Sequence, residues 1–210
     1  MNPLAMDGVA MLARGEAFVL GLPFCLCFIV PMLVVVLVIV GMYNSLVRGR
    51  NHVRESWSGI DTELKRRYDL VPNLVETVKG YARHEREVLE RVIEARNRAM
   101  ASTGSPASQA KDENMLVGGL KSLFALAEGY PDLKASQNFL ALQAQLVETE
   151  DRIQAARRFY NANVRDYNNR CEMFPTNLLA RTFDFQPAEF FEIESAVERA
   201  VPQVNLGGAH

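Results

Sequence analysis

The longest helical pattern in the sequence covers residues 134–174, KASQNFLALQAQLVETEDRIQAARRFYNANVRDYNNRCEMF, which contain neither proline nor glycine. Apolar side chains recur along this segment at spacings of three and four, and an α-helical rise gives it a length of about 60 Å. Pro175 ends the pattern. The spacing predicts a long amphipathic helix with a coiled-coil-like face. Its predicted inward positions are Phe139, Leu142, Leu146, Thr149, Ile153, Ala156, Tyr160, Val164, Tyr167, Cys171 and Phe174.

Three shorter helical patterns precede that segment, over residues 46–68, 71–99 and 112–129. We expect Pro72 to separate the first two, because proline removes an interior hydrogen bond, and Asp69 to cap the second helix. The predicted inward positions include Leu46, Val53, Trp57, Ile60, Leu64, Tyr68, Val71, Leu74, Val78, Leu89, Val92, Leu116, Leu120, Leu123 and Phe124. Four amphipathic helices with short connections predict an all-α fold, an antiparallel four-helix bundle with long helices.

An uncharged apolar run, AFVLGLPFCLCFIVPMLVVVLVIVGMY, occupies residues 17–43. About 20 apolar residues suffice to cross a bilayer, and the run is much longer than the apolar part of a secretory signal. The sequence therefore predicts one N-terminal transmembrane helix. Arg48, Arg50 and Arg54 follow it closely, whereas Arg14 alone is positive before it, which favours a cytoplasmic C-terminal domain.

The predicted domain order follows from these patterns. Residues 1–16 form a short N-terminal segment, 17–43 the transmembrane helix, 44–195 the four-helix domain and 196–210 a flexible tail. The four-helix domain includes an aromatic strap near its C-terminal end, with Phe183, Phe185, Phe190 and Phe191. We expect this strap to pack on the end of the bundle; the alternative is an exposed aromatic site for a partner.

Several motifs occur in a fixed order: YNSLV at 43–47, WSGID at 57–61, LKRRYDLVPNLV at 64–75, VKGYA at 78–82, YPDLKA at 130–135 and FYN at 159–161. Together they resemble the LemA family, and the resemblance covers about residues 43–192. It implies a bacterial single-pass membrane protein with a long four-helix domain. It implies no settled catalytic activity, so it supplies no catalytic residues.

Composition and motifs argue against several functional classes. The 210 residues are 49% hydrophobic and 23% charged, with a net charge of −2, which is typical of a folded chain and unlike a basic nucleic-acid-binding domain. The sequence has neither a P-loop nor a dinucleotide-binding glycine motif. We expect no nucleic-acid partner and no nucleotide cofactor.

Metal chemistry also lacks a motif. A di-iron helical bundle uses Glu-x-x-His pairs, and no glutamate stands three residues before His52, His84 or His210. His84 and Glu85 begin like a zinc-binding H-E-x-x-H motif, but Val88 stands where the second histidine is needed. We predict no catalytic, cofactor-binding or metal-binding residue and no enzymatic activity. A hydrolase without a recognisable motif is the least favoured alternative.

Polar residues near the first apolar stripe suggest a surface for a protein partner. We assign this predicted surface to Asp61, Lys65, Arg66, Arg67, Asp69 and Asn73. This surface is the alternative to a structural interpretation that we favour for the polar residues beside the apolar stripes. In that interpretation they fix the helical register by hydrogen bonding across helices, and the residues are Asn44, Asn51, Asp61, Asn73, Asn161 and Asn168.

The resemblance to the LemA family, together with the lack of a catalytic motif, favours a non-enzymatic scaffold or adaptor for membrane-associated proteins. We place it in the bacterial inner membrane, with one span. The alternative is a self-assembling protein that organises or shapes the membrane, which would require a homo-oligomer.

Overall fold

The computed structural model describes the backbone of residues 4–194 and the side chains of residues 28–194. Within this range every regular element is a helix, which confirms the predicted all-α class. The elements are α1 (Leu4–Tyr81), α2 (Arg86–Ala101), α3 (Pro106–Glu128), α4 (Pro131–Lys134), α5 (Gln137–Glu172) and α6 (Thr176–Thr182). The predicted tail at 196–210 lies outside the described residues.

The N-terminal part of α1 carries the apolar run. In the part of the chain that the structure describes, α1 is the one helix long and apolar enough to cross a bilayer. The large apolar side chains between Phe28 and Val40 are exposed, whereas a helix in the core of a soluble protein would bury them. This exposed apolar helix suggests a membrane protein. Residues 17–27 of the predicted span lie outside the described side chains.

The predicted break at Pro72 is wrong, because α1 continues through it to Tyr81. Proline at this position leaves the carbonyl of Tyr68 without its helical N–H donor. Arg96 of α2 replaces that donor, with its Nε 2.7 Å from the Tyr68 carbonyl oxygen. Asp69 therefore lies inside a helix and caps nothing, and the chain turns at residues 82–85 instead.

Other predicted helix boundaries also differ from the structure, and α5 begins at Gln137, three residues after the predicted start at Lys134. Helix α3 begins at Pro106, six residues before the predicted start at Asp112, because Ser105 caps it and proline suits the first helical turn. The Ser105 hydroxyl accepts a hydrogen bond from the Ser108 N–H at 3.4 Å. Helix α5 ends at Glu172, and Phe174 is exposed where the stripe predicted it to be buried.

The chain divides into two compact units. The first, here called the anchor unit, contains the N-terminal residues through Arg48 together with Arg170–Gln186. The second, here called the helical unit, contains Gly49–Asn169 together with the residues from Pro187 onward.

The core of the helical unit confirms most of the predicted apolar stripes. Its fully buried positions include Ile60, Val71, Val78, Val92, Leu116, Leu120, Leu123, Leu146, Ile153 and Val164. Trp57 of α1 packs edge-to-face on Tyr160 of α5, with ring centroids 5.3 Å apart, and on Phe191, at 5.1 Å. These aromatic contacts join α1, α5 and the C-terminal segment.

The four phenylalanines of the predicted strap divide between the two units. Phe185 is buried in the anchor unit and Phe191 in the helical unit, as a packed strap requires. Phe183 and Phe190 are exposed. The burial of Phe185 and Phe191 fits the predicted packing, whereas the exposure of Phe183 and Phe190 fits the alternative of an exposed aromatic site.

Candidate functional site

A buried cluster of charged side chains lies at the centre of the helical unit. Arg67 of α1 is fully buried and forms ion pairs with Glu113 of α3 and Glu150 of α5. The Arg67 Nη1 atom lies 3.1 Å from a Glu150 carboxylate oxygen. One guanidinium thus connects three helices.

Neighbouring groups satisfy most of the remaining polar atoms of the cluster. The Tyr68 hydroxyl donates to Glu113, and the Gln154 amide donates to Glu150 at 2.9 Å. Burial, followed by the Glu113 charge, raises the pKa of the Tyr68 phenol well above its usual range. Arg67 Nε has no hydrogen-bond partner among the described residues. Arg67, Glu113 and Glu150 are all buried, so the cluster is not accessible to solvent.

Arg67 was therefore wrongly assigned to the predicted partner surface, because a fully buried side chain cannot contact a partner. Asp61 and Lys65 are accessible and pair with each other, with Lys65 Nζ 2.7 Å from the Asp61 carboxylate. Arg66, Asp69 and Asn73 are exposed. Five of the six predicted residues thus lie where a partner could reach them.

Three of these residues line one groove between α1 and α5, with a volume of about 380 Å³. Its α1 wall consists of Arg66, Asp69, Leu70 and Asn73, and the α5 side includes Gln145, Glu148, Thr149 and Arg152. The two walls therefore contain two cationic, two anionic and two amide side chains. Such a groove offers both donors and acceptors to a polar partner, and both walls are helices, which hold the side chains in place.

A second arrangement holds the C-terminal segment, residues 187–194, against α3 and α5. The side-chain amide of Asn168 donates to the Ala188 carbonyl at 2.9 Å and accepts from the Ala188 N–H at 2.8 Å. Asn161 makes the same pair of hydrogen bonds with Phe191, at 3.1 and 3.0 Å. Each amide thus binds the segment's backbone as a neighbouring β-strand would.

A third asparagine extends this arrangement from α3. Asn114 donates to the Glu192 carbonyl at 3.4 Å and accepts from the Glu194 N–H at 2.9 Å. The Tyr160 hydroxyl donates to the Glu189 carbonyl at 2.9 Å. The predicted role of Asn161 and Asn168 was wrong, since within the described residues their side-chain amides bind this segment and not another helix. Their seven-residue spacing, two helical turns on one face, is the sequence signal for a shared partner.

No group of three or more His, Cys, Asp or Glu side chains in the described part of the chain is arranged to hold a metal ion. The Arg67 cluster has two carboxyl groups, and the guanidinium between them already pairs with both. The groove of Arg66, Asp69 and Asn73 is therefore the accessible polar site that the predicted residues form.

Comparison with known proteins extends the resemblance seen in the sequence. Protein LemA of Metamycoplasma hominis is 30% identical over 179 residues, which cover 84% of this chain and 80% of that protein. Magnetosome protein MamQ 2 of Paramagnetospirillum magneticum is 27% identical over 179 residues, covering 73% of this chain and 66% of that protein. Magnetosome protein MamQ of Magnetospirillum gryphiswaldense is 24% identical over 189 residues, covering 77% and 70% respectively. The LemA family model matches residues 56–206, more than half of the sequence, and the chain therefore belongs to the LemA family.

Proposed function

We propose that this protein is a non-enzymatic scaffold or adaptor, anchored in the membrane, that binds membrane-associated proteins through its helical domain. The observation that carries this proposal is the exposed groove formed by Arg66, Asp69 and Asn73 with α5. Its mixed charges suit a polar protein surface, where complementary charge gives specificity. The Arg67 cluster offers no accessible site for a substrate, because Arg67, Glu113 and Glu150 are buried.

We further propose that the long helices form an antiparallel four-helix bundle. Three contacts between α1 and α5 support this arrangement: Trp57 with Tyr160, Arg67 with Glu150, and Thr77 with Asn138 at 3.1 Å. From one contact to the next, the residue number increases on α1, from 57 to 77, and decreases on α5, from 160 to 138. Contacts in that order are expected from helices that run in opposite directions.

The proposed location is the bacterial inner membrane, with a single span at residues 17–43 and residues 44–195 in the cytoplasm. The exposed apolar side chains of α1 and the arginines after the span support this topology. Carbonate washing should leave the protein in the membrane pellet, and release into the supernatant would exclude the anchor. Protease added to right-side-out vesicles should leave the helical domain intact. Digestion of the helical domain would show that it lies on the outer side of the membrane.

In-cell crosslinking tests the adaptor role. A photoreactive residue at Lys65, beside the groove, should form adducts with one or two other membrane proteins. The same residue at Lys111, an exposed lysine on α3, is the matched control and should not capture these proteins. Adducts only between copies of this chain would contradict the adaptor proposal and favour the self-assembling alternative.

A further inference from the structure

The anchor unit exposes a group of large apolar side chains after the end of α5. Met173 is 64% exposed, Phe174 78%, Leu178 57% and Phe183 53%. They lie within eleven consecutive positions, at the end of α5 and along α6. Isolated exposed apolar residues need no explanation, but a group of this size in one segment marks an interaction surface.

This group adjoins the end of the apolar helix within the same unit. The Tyr43 ring contacts the Phe183 ring edge-to-face at 5.0 Å and the Phe185 ring at 5.7 Å. Arg170 donates from Nη1 to the Ser45 carbonyl at 3.1 Å. Tyr43 is the last residue of the apolar run at 17–43, so these contacts place the exposed group beside the point where that run ends.

Buried residues hold the segment in this position. Leu46, Cys171, Ala180 and Phe185 form the small core of the anchor unit, and the Phe185 N–H donates to the Ala180 carbonyl at 2.8 Å. Ala180 thus faces inward while Leu178 and Arg181 are exposed. The exposure of the apolar group is therefore a feature of a packed segment.

We propose that residues 173–183 form a second membrane contact, in which Met173, Phe174, Leu178 and Phe183 insert into the interfacial layer of the bilayer beside the transmembrane helix. This inference rests on the proposed membrane anchoring. Continuity with the exposed apolar surface of α1 identifies lipid as the occupant. Aromatic side chains favour the interfacial layer, because the apolar hydrocarbon core meets the hydrated headgroups there.

The charges of the segment fit a zwitterionic lipid surface. Arg181 is exposed at the end of α6, and Glu172 and Asp184 are exposed at either end of the apolar group. The cation can reach phosphate groups and the carboxylates can reach choline groups, while neither sign dominates. Phosphatidylcholine is therefore a sufficient partner, and anionic lipid is not required.

The test is photo-crosslinking of the full chain in phosphatidylcholine vesicles, with p-benzoylphenylalanine placed at one position at a time. Position 174 tests the proposal, and position 178 repeats the test at a second residue. Met32, an exposed residue of the apolar helix, is the positive control. Phe159, an aromatic side chain of the helical unit that is 64% exposed, is the matched negative control. Intact mass after illumination reports lipid adducts.

We expect lipid adducts at positions 32, 174 and 178, each several-fold above the yield at 159. Adducts at 32 with yields at 174 and 178 no higher than at 159 would overturn the second contact and leave the anchor intact. The absence of adducts at 32 as well would overturn the anchor, and this inference with it. Crosslinks from 174 to a second copy of the chain, without lipid adducts, would assign the surface to self-association and overturn the proposal.

Discussion

Arg96 donates to the carbonyl oxygen of Tyr68 from a distance of 2.7 Å, and this side chain takes the place of a backbone N–H that Pro72 cannot supply. The hydrogen bond links α2 to α1 at the position where the sequence predicts a break. A helix can thus pass through proline when a neighbouring helix supplies the missing donor. Because that donor lies 28 positions away in the sequence, no local pattern indicates it.

Replacing Arg96 with leucine should lower the free energy of unfolding by about 1–3 kcal/mol, since the Tyr68 carbonyl loses its donor. In a Pro72→Ala background the backbone N–H is restored, and Arg96→Leu should cost less, with a coupling on the order of 1 kcal/mol. Denaturant unfolding of the parent, the two single variants and the double variant measures this coupling. Additive effects would show that Arg96 does not compensate for the proline.

Replacing Arg67 with methionine should destabilise the helical unit by about 3–5 kcal/mol, because Glu113 and Glu150 would remain buried without their cation. The triple variant Arg67→Met, Glu113→Gln, Glu150→Gln removes all three charges and should recover part of this loss. Thermal unfolding in detergent provides the measurement. A single variant as stable as the parent would contradict the buried ion pairs.

The periodic apolar stripes predicted most of the core, because burial follows the helical repeat that the sequence itself displays. Val71, Leu74 and Val78 are buried as predicted. The helical repeat could not predict the burial of Arg67. This residue lies next to an apolar stripe but pairs with residues 46 and 83 positions away. The groove likewise combines residues from α1 and α5, and only Arg66, Asp69 and Asn73 were predicted from their local charge pattern.

Ile153→Asp should unfold the helical unit, since it would place an unpaired charge at a fully buried position of α5. Leu140→Asp, at an exposed position of the same helix, is the control and should change the free energy of unfolding by no more than about 0.5 kcal/mol. Circular dichroism during heating distinguishes the two. Equal thermal midpoints would contradict the predicted stripe.

Asn161→Leu should release the C-terminal segment locally, because both hydrogen bonds to Phe191 are lost. We expect faster amide hydrogen exchange at Phe191 than in the parent protein, with a smaller increase at Ala188. Asn168→Leu should increase amide exchange more at Ala188 than at Phe191, since Asn168 binds Ala188. Unchanged protection at both amides would exclude the asparagines as the groups that hold the segment.

Stability should fall at alkaline pH through the buried tyrosines. Burial, followed by the charge of Glu189, raises the pKa of Tyr160 to about 12 from the usual 10.0. The folded state therefore holds this proton more tightly than the unfolded state does. The stabilisation is complete below about pH 10 and is lost as the pH rises toward about 12.

Denaturant unfolding across this interval measures the loss for the parent and for Tyr160→Phe. The variant should lose less stability, while the raised pKa of Tyr68 leaves it some alkaline sensitivity. Identical pH profiles for the two proteins would contradict the shift at Tyr160.

The asparagines that hold residues 187–194 have a consequence for how this segment diverges during evolution. They bind its N–H and C=O groups, which every residue other than proline carries in the same form. Substitutions at an exposed position such as Glu192 can therefore accumulate without displacing the chain. Selection should act on Asn114, Asn161 and Asn168, and on the volume of the buried side chains Phe191 and Ile193. Distant relatives can then share the path of this segment after its own sequence has ceased to be recognisable.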